Sequence, residues 1–257
     1  MTNEEILKIA LSQSAIDCNC SPDDFLMADN KIVLSQKHEK ARVYLNLPFE
    51  CDLVSYGNNI VAQTSPELID IVTKYVNTYK TEHCFETPNM NVLNEEIAEY
   101  GLKICFMAEY FLPDIKLLRH IPCKFETRLL QKGEFDELYT ADWRNALCSD
   151  RKEYDILCVG AYDKDRLIGL AGCSADCESM YQIGIDVLPE YRRLGIAASL
   201  TSALAIEILK LGKVPFYCAA WSNIKSVRNA IKCSFRPAWV EMTARKCDFV
   251  DRMNKVE

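Results

Sequence analysis

The sequence holds no apolar run near the roughly 20 residues that span a bilayer, which argues against a membrane-crossing helix. It has no excess of basic charge either. Lys and Arg number 30 against 37 Asp and Glu, a net charge of -7, so the basic face that phosphate neutralisation demands is not expected, and neither is a nucleic-acid partner. Histidine is scarce, with three in the chain (His38, His83 and His120) and no clustering among them. The 13 cysteines contain no C-x-x-C spacing; Cys18 with Cys20, and Cys173 with Cys177, lack the histidines or further thiols of a structural zinc site, so no metal is expected. Their number is odd and no secretory signal opens the chain, which points to reduced thiols and a cytoplasmic protein. No G-x-G-x-x-G run occurs among the nine glycines, so a Rossmann dinucleotide site is not expected.

What is present is enough apolar content, 49% of 257 residues, for one large core or two modest ones. Thr2-Asn-Glu-Glu5 resembles a capping box opening a helix, and Ser21-Pro-Asp-Asp24 starts another. Residues 31–35 and 51–56 read as strands, with Gly57-Asn-Asn59 turning the latter into a hairpin partner at 60–63. Ser65-Pro-Glu67 is a helix start, a further helix covers 90–100, and Gly101 leads into a strand over 102–110. Pro113 and Pro122 bracket a linker, placing one boundary near residue 120, between a 1–120 N-terminal α/β domain and a 121–257 domain. Beyond it, Phe125, Thr127 and Leu129 alternate as a strand, 132–145 reads as helical, and 156–162 and 167–173 form a hairpin about Asp163-Lys-Asp165.

The stretch that organises the second half is Gln182-Ile-Gly-Ile-Asp-Val-Leu-Pro-Glu-Tyr-Arg-Arg-Leu-Gly-Ile-Ala-Ala198. Ile183, Ile185 and Val187 alternate as in a half-buried strand, and Pro189 stops it. Ile196, Leu200, Leu204, Ile208 and Leu211 then recur at helical spacing up to Gly212, so a helix begins at about Gly195. Its first amides have no internal partner and its dipole is positive there, which suits an anion. Gly195 and the small Ala197 keep that end open, and Arg192 and Arg193 add cationic donors.

Val187, Pro189, Tyr191 and the run Arg192-Arg193-Leu194-Gly195-Ile196-Ala197 resemble the acyl-CoA signature of the GNAT superfamily, the general N-acetyltransferases, written (Gln/Arg)-x-x-Gly-x-(Gly/Ala). A strand over 214–221 leading into Asn223-Ile-Lys-Ser226, with Ala230, Lys232 and Phe235 beyond, is similar to the family's second CoA-contacting element. The resemblance covers about residues 123–245. It implies an α/β (α+β) fold with a mixed, largely antiparallel central sheet flanked by helices. The N-terminal half alternates helices and strands on a similar scale and resembles a degenerate copy of the fold, as in the zwittermicin-resistance group.

The resemblance also implies direct transfer of an acetyl group from acetyl-CoA, as co-substrate, to an amine of a small-molecule acceptor. CoA is then expected on the backbone of Ile185, Asp186 and Val187, on Arg192, Arg193, Leu194, Gly195, Ile196 and Ala197, and on Asn223 and Ser226. The family's general acid is a tyrosine, but the matching position is Ala230 and the usual glycine falls at Ser234, leaving water, Ser226 or Cys233 to assist. The family's base position falls at Tyr181, with Glu178 nearby as the candidate carboxylate; Asp186 is expected to pair with Arg192 or Arg193. Among the tryptophans, Trp143, Trp221 and Trp239, the second ends the strand beside the CoA element. An alternative is an acyl-CoA-binding sensor without turnover.

Overall fold

The computed structural model describes residues 1–255. Its elements run α1 (Asn3–Cys18), β1 (Lys31–Leu34), β2 (Cys51–Ser55), β3 (Val61–Thr64), α2 (Ile69–Thr78), α3 (Thr87–Ala98), β4 (Leu102–Pro113), β5 (Glu126–Gln131), β6 (Asp155–Asp163), β7 (Arg166–Ser174), β8 (Met180–Val187), α4 (Ile196–Lys210), β9 (Val214–Ala219), α5 (Ile224–Lys232), β10 (Phe235–Lys246) and α6 (Cys247–Met253). The protein is a mixed α/β structure with a largely antiparallel open sheet flanked by helices. No helix among the described residues is long and apolar enough to cross a membrane. Two compact units emerge, one of Leu11–Glu109 with the chain from Ala238, the other of Met1–Ala10 with Tyr110–Pro237. Where the sequence placed one boundary near residue 120, the chain passes between units at three points, within α1, β4 and β10. A strand or helix keeps its own hydrogen bonds through such a point, so no loop composition marks it.

In the unit of Leu11–Glu109, strand order is β1-β3-β2-β10-β4, with β1 parallel to β3 and the β2–β3 hairpin antiparallel, as expected. Alternation splits the two faces. Leu53, Ala62, Met242 and Ala244 join Val72, Tyr75, Leu93 and Ile97 in an apolar core under α2 and α3. The opposite face carries Asp52, Gln63, Glu241 and Thr243, all buried. Arg42 enters from the loop before β2, donating Nε to Asp17 Oδ2 at 2.5 Å, with its Nη2 3.7 Å from Glu241 Oε2. Asp52 accepts from Thr243 Oγ1 at 2.7 Å and from Gln63 Nε2 at 3.0 Å. Burial, reinforced by the Glu241 charge, pushes the Asp52 carboxyl up to about 8 against the pull of those hydrogen bonds and of Arg42.

The other unit orders its strands β4-β9-β8-β7-β6-β5. β5 through β8 are antiparallel neighbours, and Lys164, with φ +57°, makes the tight turn between β6 and β7. One face of this sheet, through Leu157, Val159, Ala171 and Ile183, buries Leu200, Leu204 and Ile208 of α4 at the spacing the sequence shows. Gly212, with φ +74°, ends that helix, its N–H reaching Leu209 O while Lys213 N reaches Ile208 O.

The helix expected over 132–145 does not form. In its place are short 3₁₀ turns at Asp136–Leu138 and Ala141–Trp143, followed by another at Ser149–Tyr154. Phe135, Trp143, Ala146 and Leu147 pack flat on Cys158 and Leu170 on the face opposite α4, and that burial outweighs a weak helical pattern interrupted by Thr140 and Asn145. The segment 139–148 is therefore a strap across the sheet.

Asp52 leads to a pH prediction. Its folded carboxyl keeps a proton that the unfolded chain has released, so between about pH 4 and about pH 8 the folded state binds more protons and stability falls as pH rises. Asp52→Asn, which can keep both hydrogen bonds by rotation of the Thr243 hydroxyl, is expected to shrink the difference between urea midpoints measured at pH 5 and pH 8. An undiminished difference would assign that dependence to other groups.

Candidate functional site

β8 and β9 run parallel but pair only at Met180↔Val214, Tyr181↔Pro215 and Gln182↔Phe216, although the strands continue to Val187 and Ala219. Pro215 contributes no N–H to this short ladder. Past Phe216 the strands part, and the β8 backbone from Ile183 to Val187 keeps ladder partners on the β7 side. Ile185, Asp186 and Val187, the backbone positions expected to meet CoA, lie in this parted segment.

The loop after β8 returns as predicted. Pro189–Tyr191 forms one 3₁₀ turn, Arg193 and Gly195 adopt left-handed conformations at φ +66° and +85°, and Gly195 is the N-cap of α4. A non-glycine residue costs about 1–2 kcal/mol in that conformation, so Arg193 carries local strain while Gly195 does not. A Cβ on Gly195 would meet nothing within 4 Å: glycine serves the backbone angle and leaves the helix end uncovered. No side chain caps α4, so the amides of Ile196 and Ala197 have no intrahelical acceptor. Leu194 is exposed and Ile196 buried beneath the turn. Arg192 folds back, its Nε donating to Val187 O at 3.1 Å, which ties the cationic rim to the end of β8.

The second element also assembles. Asn223 is the N-cap of α5, its Oδ1 accepting from Ser226 N at 3.2 Å, and Ser226 Oγ lies 2.8 Å from Tyr217 Oη. Tyr217 is the first residue of β9 beyond the last pair with β8; burial raises its phenol above the ordinary range. Asn229 continues the polar chain, donating to Thr201 Oγ1 on α4 at 3.0 Å. Tyr217 was missed in the sequence because nothing local distinguishes it from a core aromatic.

Other expectations are redistributed. Cys233 is buried, its thiol donated to Ala198 O at 3.3 Å and pushed up to about 12 by burial. Ala230 is fully buried, and Trp221 is 44% exposed just after β9, whereas Trp143 and Trp239 are buried. Glu178 stands exposed in the turn before β8, at the paired end of the strands and about 20 Å of strand length from Ile185 to Val187. Tyr181 lies at that same end, its phenol raised mainly by burial. Ile185 to Ala197 thus run along the parted end of β8 and the loop beyond it, Asn223 and Ser226 are linked to Tyr217 of β9, and Glu178 and Tyr181 lie toward the paired end of β8.

Asp186 does not pair with Arg192 or Arg193. Its Oδ2 accepts from Asn145 N at 2.8 Å and Ala146 N at 3.0 Å, and its Oδ1 from Asn145 Nδ2 at 2.6 Å. Strand alternation causes this, because Asp186 faces the strap while its neighbours Ile185 and Val187 pack toward α4. Opposed glycines make the approach close enough: Gly172 and Gly184 are register partners, and a Cβ on either would collide with the carbonyl oxygen of Ala146 or Asn145. Glycine inside two adjacent strands was the signal in the sequence that could have located the strap.

Residues 116–235 match the model of a family described as acetyltransferase (GNAT) family. No curated protein matches the chain. Among solved structures, it is similar to a GCN5-related N-acetyltransferase-like protein from Streptococcus suis, at 18% identity and TM-score 0.44 over 62% of this chain and 69% of that one. GCN5-related N-acetyltransferases from Kribbella flavida (15%, TM-score 0.46, 61% and 63%) and Sphaerobacter thermophilus (13%, TM-score 0.44, 60% and 55%) are also similar. The chain thus spans less than two thirds of the length of the last two.

Gly184→Ala is expected to displace the strap, lowering stability by about 1–3 kcal/mol as overpacking does, and to open 139–148 to limited proteolysis. An unchanged melting temperature and digestion pattern would contradict this packing.

Proposed function

From the match of residues 116–235 to the acetyltransferase (GNAT) family model, we propose that the protein is an acyl-CoA-dependent N-acyltransferase that moves an acetyl group from acetyl-CoA to a small-molecule amine. The observation that carries this reading is the parting of β8 from β9 directly before an uncapped helix end opened by Gly195. A diphosphate fits the amides of Ile196 and Ala197, with Arg193 at its rim, and a pantetheine arm fits along the parted edge of β8. The chemistry requires the amine nitrogen to attack the thioester carbonyl, so that the N–C bond forms and the C–S bond breaks. The nitrogen arrives as an ammonium and loses two protons in all, one to solvent and one to the departing thiolate.

In this reading a β8 amide near Ile185 donates to the carbonyl oxygen as its charge grows, a contact whose loss typically costs about 10²- to 10³-fold in rate. Alignment of both substrates is the larger contribution, with effective molarities of roughly 10⁵ M or more. Ser226, bonded to Tyr217, is the hydroxyl of α5 nearest in sequence to the absent tyrosine position at Ala230, one helical turn earlier on the same face. A general acid contributes about 10²- to 10⁴-fold, so a weak donor here slows the reaction without abolishing it. The N-terminal half as a degenerate copy of the fold, of the zwittermicin-resistance type, belongs to the same reading. The buried Ala230 favours a second one, acyl-CoA binding without turnover.

Titration calorimetry with acetyl-CoA tests the site. Gly195→Glu places a carboxylate at the helix end, and its affinity is expected to fall about 100-fold, roughly 2.7 kcal/mol. Equal affinity in the two proteins would remove the loop from the site, and a wild type that binds without releasing thiol to any amine would select the second reading.

A further inference from the structure

We propose that Asp186, oriented by the strap through Asn145, is the acceptor subsite, its carboxylate holding the incoming amine as its ammonium ion. The inference rests on the acyltransferase reading and adds to it the charge of the acceptor and the face from which it arrives. Within the parted segment of β8, Ile183 and Ile185 point into the core under α4, while Asp186 points to the opposite face beside the strap. The thioester along the parted edge of β8 and the amine at Asp186, on the strap face of the same strand, then meet at that edge.

The chemistry of Asp186 fits a cation. All three donors on it are neutral N–H groups, and it takes part in no ion pair among the described residues. A carboxylate offers about four acceptor positions, and Asp186 Oδ1 receives a single hydrogen bond, from an exposed asparagine. An ammonium brings three donors and no acceptor, so it matches the position left on Oδ1 and compensates the charge. The strap fixes the carboxylate from beneath: Oδ2 is held by two backbone amides, and the Gly172–Gly184 pair lets the strap lie close enough to do so. The carboxylate is thereby pre-oriented before any ligand arrives.

Thiol release from acetyl-CoA is to be compared with two nucleophiles, putrescine, which is cationic, and hydroxylamine, which is neutral. Asp186→Asn preserves shape, since rotation of the Asn145 amide restores a matching hydrogen bond. It is expected to lower kcat/KM about tenfold or more further for putrescine than for hydroxylamine, a ratio in which any change in acetyl-CoA binding common to both nucleophiles cancels. Asn145→Ala, which keeps the charge and removes a neutral donor, is expected to retain the preference for putrescine. Equal losses on both nucleophiles in Asp186→Asn, or loss of the preference in Asn145→Ala, would overturn the subsite and leave Asp186 as a clasp for the strap. A wild type that uses hydroxylamine and no putrescine would overturn the subsite alone; one that uses neither, or fails to bind acetyl-CoA, would overturn the transferase reading with it.

Discussion

Backbone hydrogen bonds in a sheet must be satisfied, and the parallel ladder between β8 and β9 stops after three residue pairs although both strands run on. A strand edge left open inside a sheet is costly unless water or a ligand takes up its donors and acceptors. Much around the parted segment bears on that opening. Pro215 weakens the ladder from one side, α4 presents its uncapped end at the exit of β8, and Arg192 is tied to the last carbonyl of the strand. The polar line from Tyr217 through Ser226 to Asn223 borders the opening from β9.

The opposite face of β8 answers a different constraint. Two opposed glycines remove the side chains that would hold a crossing segment away, and the strap settles there with its apolar residues on Cys158 and Leu170. Asp186 then accepts the backbone amides that the strap, lacking helical structure, cannot satisfy internally. One residue of β8 thus serves the core, the next serves the strap, and the backbone between them stays available.

The other unit shows how much polarity a buried sheet face tolerates when hydrogen bonds and opposite charges surround it. Asp52 lies between Gln63 and Thr243, and Arg42 lies between Asp17 and Glu241. Such a face couples stability to pH, because burial holds a proton on Asp52 that water would remove.

The sequence by itself determined the local elements around the phosphate loop. Ile183, Ile185 and Val187 at period two, Pro189, Gly195, and Leu200, Leu204 and Ile208 at helical spacing each act over a few residues, where backbone sterics and burial periodicity decide the outcome. Tertiary structure decided the rest. Whether 132–145 became a helix or a strap depended on Gly172 and Gly184, far along the chain, and the partner of Asp186 depended on that choice. The separation of Glu178 from the parted strands depended on which end of a parallel ladder stayed closed. Those outcomes rest on contacts between residues distant in the chain, whose energies no local pattern carries.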